Sequence, residues 1–311
     1  MGDEREIEKR MAAIQKVFNT ERISTHGQDL FDIEQYYRES SLGYRLFHSE
    51  QGALHMALNP KGTFNREGYY GQPNAIAKWF KTATREVLEL ASGNGFNARF
   101  LARRFPEVQF TGIDLVRGGV EFAEKRAHRA ANLKFIQGDF QKLPFGANDF
   151  DLVYVVESIC HATNMHQALS EAHRVLRPGG VFIVIDAWQT KAFHQLSPLV
   201  QKAAILTQQS MAVGNPWGLD EWLQLSEQVG FTLDCDEDLT AAIMPNLLRF
   251  ENMAARYFDH PYLARIAARI LPRRLLENAI AGYLMPLTVG AGAHTYRMVV
   301  FTRPGVREEP D

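Results

Sequence analysis

From residue 86 onward the chain alternates short apolar runs with amphipathic stretches. The apolar runs near 86–91, 109–114, 133–137, 151–156 and 181–186 have the length of buried strands. Between them, apolar residues recur at helical spacing near 95–105, 117–131 and 164–176. This alternation predicts a doubly wound, mostly parallel α/β sheet. A further helix is expected over 196–212, and Asp220 is expected to cap a helix that ends at Gly230. A sixth strand near 231–236 is followed by a last strand from Thr295 to Phe301. Residues 240–292 lie between them and carry a helical pattern that includes Met244, Leu247, Phe250, Tyr257, Leu275 and Tyr283. Helices thus interrupt what would otherwise be a hairpin.

Residues 1–84 precede the sheet and read differently. Ile7, Met11, Ile14 and Phe18 recur at helical spacing over 3–19. A second helical region, rich in aromatics (Phe31, Tyr36, Tyr37, Tyr44, Phe47), is expected over 28–58. A turn at Asn59-Pro60-Lys61-Gly62 and a helix near 73–83 follow. The expected organisation is an N-terminal helical cap, 1–84, lying over the mouth of a core, 85–311. The core carries a helical insertion at about 240–292.

The segment 86–115 reads EVLELASGNGFNARFLARRFPEVQFTGIDL: strand, glycine turn, helix, strand, acid. Gly93 and Gly95 let the backbone turn sharply and approach a ligand. Asp114, with Leu115 after it, stands where a second strand ends and can accept hydrogen bonds from ribose hydroxyls. Gly93-Asn94-Gly95-Phe96-Asn97-Ala98 satisfies the dinucleotide pattern, which aims a helix N-terminus at a pyrophosphate. Glu89, Gly93 and Gly95 also form an acid-x-x-x-Gly-x-Gly pattern. It resembles motif I of the class I S-adenosylmethionine-dependent methyltransferases. An acid at 89 suits a cationic α-amino group better than a pyrophosphate.

The resemblance continues along the chain. Gly138-Asp139-Phe140 follows the third strand, and Leu143-Pro144-Phe145 with Asn148-Asp149-Phe150-Asp151 leads into the fourth. Leu176-Arg177-Pro178-Gly179-Gly180 resembles the family's turn before strand five, and reads as a break. The dinucleotide reading leaves these later motifs unexplained. The resemblance implies a Rossmann-like core and S-adenosylmethionine as cofactor. It places Ser92, Gly93 and Gly95 along the methionine moiety, with Glu89 holding its amino group. Asp114 would hold the ribose, and Asp139 and Phe140 would frame adenine. Ser92 departs from the Gly or Cys of many members.

The fourth strand ends Val156-Glu157-Ser158-Ile159-Cys160-His161-Ala162. Ligands of open α/β sheets sit outside the carboxyl ends of strands, so Glu157 and His161 are expected at the transfer centre, Glu157 also beside the cofactor. Glu-x-x-Cys-His-Ala is similar to the corresponding segment of sterol and isoprenoid C-methyltransferases. Two plainer readings stay open: Glu157 as a buried acid bonding backbone amides, and His161 as a neutral packing residue. Tyr36 and Tyr37 are candidate substrate contacts, although most aromatics of 28–70 read as helix packing. His48 and His55, seven apart on one helical face, lack a third ligand at metal spacing, so no metal is expected. Asn215-Pro216-Trp217 reads as a loop anchor.

Methyl transfer needs the acceptor positioned in line. An oxygen or nitrogen acceptor also needs its proton removed, a role for His161. An alkene carbon becomes a carbocation, which needs aromatic faces and a carboxylate such as Glu157. The apolar content of 28–70 and 240–292 favours a hydrophobic small molecule, a lipid, isoprenoid or other natural product, and leans toward C-methylation. O- or N-methylation of a secondary metabolite stays open. So do two other classes: an NAD-dependent oxidoreductase and a non-catalytic S-adenosylmethionine-binding protein.

Composition narrows the partners. At 46% hydrophobic and 23% charged the chain is ordinary globular protein, and a net charge of −2 gives no electrostatic case for nucleic acid. Two cysteines, Cys160 and Cys235, build no disulfide framework, so a reducing, cytoplasmic compartment is expected. The N-terminus lacks a signal peptide's apolar stretch, and no transmembrane span is expected. The basic pair Arg273-Arg274 and the mixed run from Arg5 to Arg10 read as solvated helix faces. The charged, amphipathic first helix is a candidate for packing on a neighbouring subunit in a homo-oligomer.

Overall fold

Strands β1 (Glu86–Leu90), β2 (Gln109–Asp114), β3 (Leu133–Gln137), β4 (Phe150–Val156), β5 (Leu176–Gln189), β6 (Thr232–Asp238) and β7 (His294–Thr302) form one sheet. Their order is β3-β2-β1-β4-β5-β7-β6. The first five pair in parallel, and β7 runs antiparallel to both β5 and β6. Chain order reverses between β1 and β4, which opens a crevice at their carboxyl ends. The structure, a computed structural model, describes residues 2–23, 30–44, 48–49, 51–128, 130–214 and 216–305. Phe47, Asn215, the tail from Val306 and the side chain of Phe31 lie outside the description.

Strand side chains alternate between the two faces. Leu88, Leu90, Val153, Val155 and Phe182 face α7 (Met165–Val175) and α9 (Leu219–Val229), with Trp222 fully buried among them. Val87, Leu152, Tyr154 and Ile183 face the other way, against Ile76 of α4 (Gly71–Ala77) and Leu101 of α5 (Phe96–Arg104). Helix α6 (Arg117–Ala127) packs Val120 and Ala123 on Phe135 of β3.

A helical layer covers one side of the crevice. It combines α1 (Gly2–Gln15), α2 (Thr20–Ile23), α3 (Leu30–Gly43) and α8 (Pro198–Ser210) with α10 (Thr240–Phe258), α11 (Pro261–Ile270) and α12 (Arg273–Gly290). Ile7, Met11 and Ile14 of α1 are buried against Phe258, Ile280 and Leu284. Arg10 donates to the Tyr283 carbonyl at 2.6 Å. The apolar face of the first helix is therefore covered within its own chain. Among the described residues, no helix is long and apolar enough to cross a membrane.

Three local expectations are corrected. The second helical region is α-helical to Gly43, with π-helical backbone at Tyr44 and His48, rather than reaching 58. Residues 52–58 instead run as a non-helical strap whose amides are held from outside: Met56 by Glu157, Ala57 by the Asn246 side chain, Leu58 by the Gly68 carbonyl. His48 and His55 consequently do not share a helical face. The segment 176–180 is not a break but the start of β5, with a register shift against β4 between Phe150 and Leu152. Gly179 at φ +77 absorbs the kink. Helix α9 is capped by Gly218; Asp220 sits in its first turn, where its charge suits the helix dipole and it pairs with Lys191 at 2.9 Å.

Candidate active site

The glycine turn after β1 and the carboxyl ends of β2 and β4 enclose a cavity of about 430 Å³. Glu89, Ser92, Gly93, Asp114, Leu115, Asp139, Phe140, Glu157 and His161 all border it, and Tyr37 and Leu54 close it from the N-terminal side. Asp114 is pinned by two backbone amides: Gly93 N–H donates to Oδ2 at 2.7 Å and Val116 N–H to Oδ1 at 2.8 Å. Burial still pushes its carboxyl up to about 6. Each oxygen keeps lone-pair capacity for a ligand hydroxyl. Glu89 accepts from Ala98 N–H and the Asn97 amide, both at 3.2 Å, and burial lifts it to about 8. Asp139 accepts from Gln141 N–H at 2.8 Å, which fixes the turn that presents Phe140.

The two glycines of the turn do different work. Gly93 has φ +51, and a Cβ there would meet Leu54 Cδ1 at 2.7 Å, on the cavity side. Gly95 does not border the cavity, contrary to its expected place along the methionine moiety. At φ +68 it caps α5, and a Cβ there would meet the Phe135 ring at 2.4 Å. Its role is close helix–strand packing.

Glu157 carries a left-handed backbone, φ +49, at the end of β4. Its Oε1 accepts from Met56 N–H at 2.7 Å and from the Tyr296 hydroxyl at 2.6 Å. Burial pushes this carboxyl up to about 8. Glu157 also borders two further cavities. One, about 120 Å³, is lined by Tyr36, Tyr37, Tyr44 and Tyr296 with Asp186 and His161. The other, about 340 Å³, is lined mainly by apolar side chains of α10 and α12. Tyr36 reaches only the small aromatic one of the three, and its hydroxyl donates to Asn278 Oδ1 at 2.5 Å.

His161 is a neutral imidazole. Its Nδ1 faces the Ala212 carbonyl at 3.2 Å and must carry the proton. Nε2 then accepts from the Tyr37 hydroxyl at 2.8 Å. Burial lowers its pKa to about 4.

Sequence reasoning missed Tyr296, Asp186 and the His55–Asn97 pair behind Glu89. Asp186 ends an apolar strand run, the same signal that marked Asp114, and was legible on that ground. Tyr296 enters from an antiparallel strand, where the strand-end rule does not apply. His55 reaches Asn97 Oδ1 at 3.0 Å only because the strap passes there. Among the described residues no cluster of three or more metal-binding side chains occurs.

A methyltransferase domain model matches residues 88–184. A fatty-acid O-methyltransferase of Mycolicibacterium smegmatis is 45% identical over 103 residues, 33% of this chain and 37% of that protein. A sterol 24-C-methyltransferase of Gibberella zeae is 34% identical over 162 residues, 50% of this chain and 42% of that protein. The chain spans less than half the length of these curated relatives. Among solved structures, the cyclase SpnF has the same fold, with TM-score 0.68 and 19% identity over 90% of this chain and 97% of its own. The similarity is to methyltransferases, by sequence over residues 88–184 and by fold over most of the chain.

Proposed function

We propose that this chain methylates a hydrophobic small molecule, a lipid or isoprenoid, from S-adenosylmethionine, and that the acceptor atom is carbon. The single observation that carries this reading is the position of Glu157. One partly buried carboxyl borders the acidic, glycine-lined cavity, the tyrosine-lined cavity and the apolar cavity together.

The first cavity fits the cofactor. Ser92 Oγ is buried there without a partner, and acids line the space where a cationic amino acid end would lie. The same acids disfavour a pyrophosphate. Glu89 would hold the amino group, Asp114 the ribose, and Asp139 with Phe140 the adenine. Bound S-adenosylmethionine supplies an electrophilic methyl on a sulfonium. The tyrosines of the second cavity would face positive charge developing on an alkene acceptor. Glu157 in its ionised form would accept the proton that the methylated cation releases, restoring a neutral alkene. Residues 1–84 act as the cap, and the insertion of 240–292 walls off water from the acceptor. Tyr37 closes the small cavity through its bond to His161.

An oxygen acceptor is the second reading, favoured by one observation: His161 is held neutral with its proton on Nδ1, leaving Nε2 to take a proton relayed through Tyr37. Incubating the protein with methyl-labelled S-adenosylmethionine and a panel of fatty acids, sterols and isoprenoid alcohols tests both. Label in an extractable product with a new carbon–methyl bond supports the proposal, and a methyl ether or ester supports the second reading. Cofactor binding without any labelled product would leave a binding protein. Titration with NADH in place of S-adenosylmethionine tests the oxidoreductase alternative.

A further inference from the structure

Helix α11 is built inside out for a helix on a water-facing surface. Its alanines face the protein: Ala264 is 2% exposed and Ala268 packs against the helical layer. Its large apolar side chains face outward. Tyr262 is 74% exposed, Leu263 61%, Ile266 38% and Ile270 75%. Tyr262, Ile266 and Ile270 follow at intervals of four and form one stripe. Ordinary surface helices place large apolar residues inward and polar ones outward.

Charge says what covers the stripe. Arg265 and Arg269, also spaced by four, stand on the edge of the stripe and are exposed. Around α11 the chain has Arg256, Arg265 and Arg269 with one acid, Asp259, in a protein whose net charge is −2; Arg273 and Arg274, further on, pair with Glu277. An exposed apolar stripe flanked by arginines matches the interface of an anionic bilayer, where apolar groups insert and cations meet lipid phosphates. The stripe is continuous with the molecule's interior. Leu271, 45% exposed just past α11, and Leu275 line the same apolar cavity that ends at Glu157.

We propose that α11 docks this protein on the surface of an anionic lipid bilayer. The docked helix sets the Leu271 end of the apolar cavity against the acyl layer. A hydrophobic acceptor then passes from lipid to the site without crossing water. The loading route rests on the methyltransferase reading; the docking does not.

The test is flotation of the full chain with phosphatidylglycerol vesicles and with phosphatidylcholine vesicles. Binding to the anionic vesicles and weak binding to the zwitterionic ones is expected, lowered by high salt. The double variant Ile266→Glu, Ile270→Glu should lose binding by at least about tenfold, and Arg265→Glu, Arg269→Glu similarly. Thermal melting by circular dichroism establishes that both variants fold. Titration with S-adenosylhomocysteine reports separately on the cofactor site. No binding of wild type to anionic vesicles, or binding unaltered in both folded variants, overturns the proposal. So does a wild-type dimer in sedimentation that Ile270→Glu dissociates, since the stripe would then belong to a second copy.

Discussion

The two halves of the cleft are built by different means. On the cofactor side, the acids Glu89, Asp114 and Asp139 sit at strand ends or in the turn beside them, and each accepts from at least one backbone amide. Asp114 takes Gly93 and Val116, Glu89 takes Ala98, and Asp139 takes Gln141. On the acceptor side, the walls come from α3, the strap, α10, α12 and β7, and each polar side chain adds a side-chain partner to whatever backbone bond it makes. Tyr296 meets Glu157, Tyr37 meets His161, and Tyr36 meets Asn278. A backbone-held site changes little when side chains are exchanged. A site held by side chains can be reshaped by single substitutions without touching the sheet. The first arrangement suits a ligand shared across a family, the second a ligand that varies.

The sharpest break between the halves is expected at Glu157. Glu157→Gln should keep cofactor affinity and lower turnover by roughly two to four orders of magnitude, as for loss of an acid/base group. If His161→Ala proves the more severe variant, with binding and melting intact in both, the carbon-acceptor reading falls. Asp114→Ala should act in the opposite sense, weakening S-adenosylhomocysteine by about 2–3 kcal/mol through the loss of charged hydrogen bonds. Calorimetry showing wild-type affinity would remove the ribose assignment.

The two glycines sharpen the comparison within the cofactor half. Gly95→Ala should lower stability by about 1–3 kcal/mol, through positive φ and collision with Phe135. The protein that remains folded should keep its affinity. Gly93→Ala should instead lower affinity, because its Cβ projects toward the cavity wall at Leu54. Equal effects of the two on binding would contradict their separation.

The smallest effect expected is on pH. Glu89 and Glu157 hold their protons up to about pH 8 when folded, against 4.5 unfolded. From pH 6.5 to 8 the unfolded chain binds fewer protons at these sites, so stability falls as pH rises. The limit is about 1.4 kcal/mol per pH unit for each group. The histidines His48, His55, His161 and His294, lowered to about 3 or about 4 against 6.5 unfolded, work the other way; they offset the fall at pH 6.5 and fade by about pH 7.5, so the fall is steepest in the upper part of the window. Melting of the ligand-free protein across pH 6.5–8 checks this. A slope unchanged in Glu89→Gln would mean that Glu89 is already ionised.

Legibility in the sequence follows the same division. The sheet, its glycine turn and its strand-end acids were readable because they are local: one strand, one turn and one acid lie within a few residues of each other. The burial of α1 on its own chain was not readable, since periodicity gives the apolar face but not what covers it. The strap at 52–58 was misread as helix because its apolar residues, Ala53, Leu54, Met56 and Ala57, carry no breaker besides Gly52. Its amides are satisfied by Glu157 and Asn246, which are 101 and 189 positions away. No window of sequence contains that information.

The bond from Tyr296 to Glu157 spans 139 positions and has a consequence in time. During synthesis the residues of β1 to β4 emerge well before β7. Domains fold as their segments become available. A nascent chain can therefore assemble its glycine turn and Asp114 while Glu157 still lacks its phenol and the edge of β5 still lacks a partner. The capacity to hold a nucleoside would come early in the life of the molecule, and the capacity to transform anything would come late.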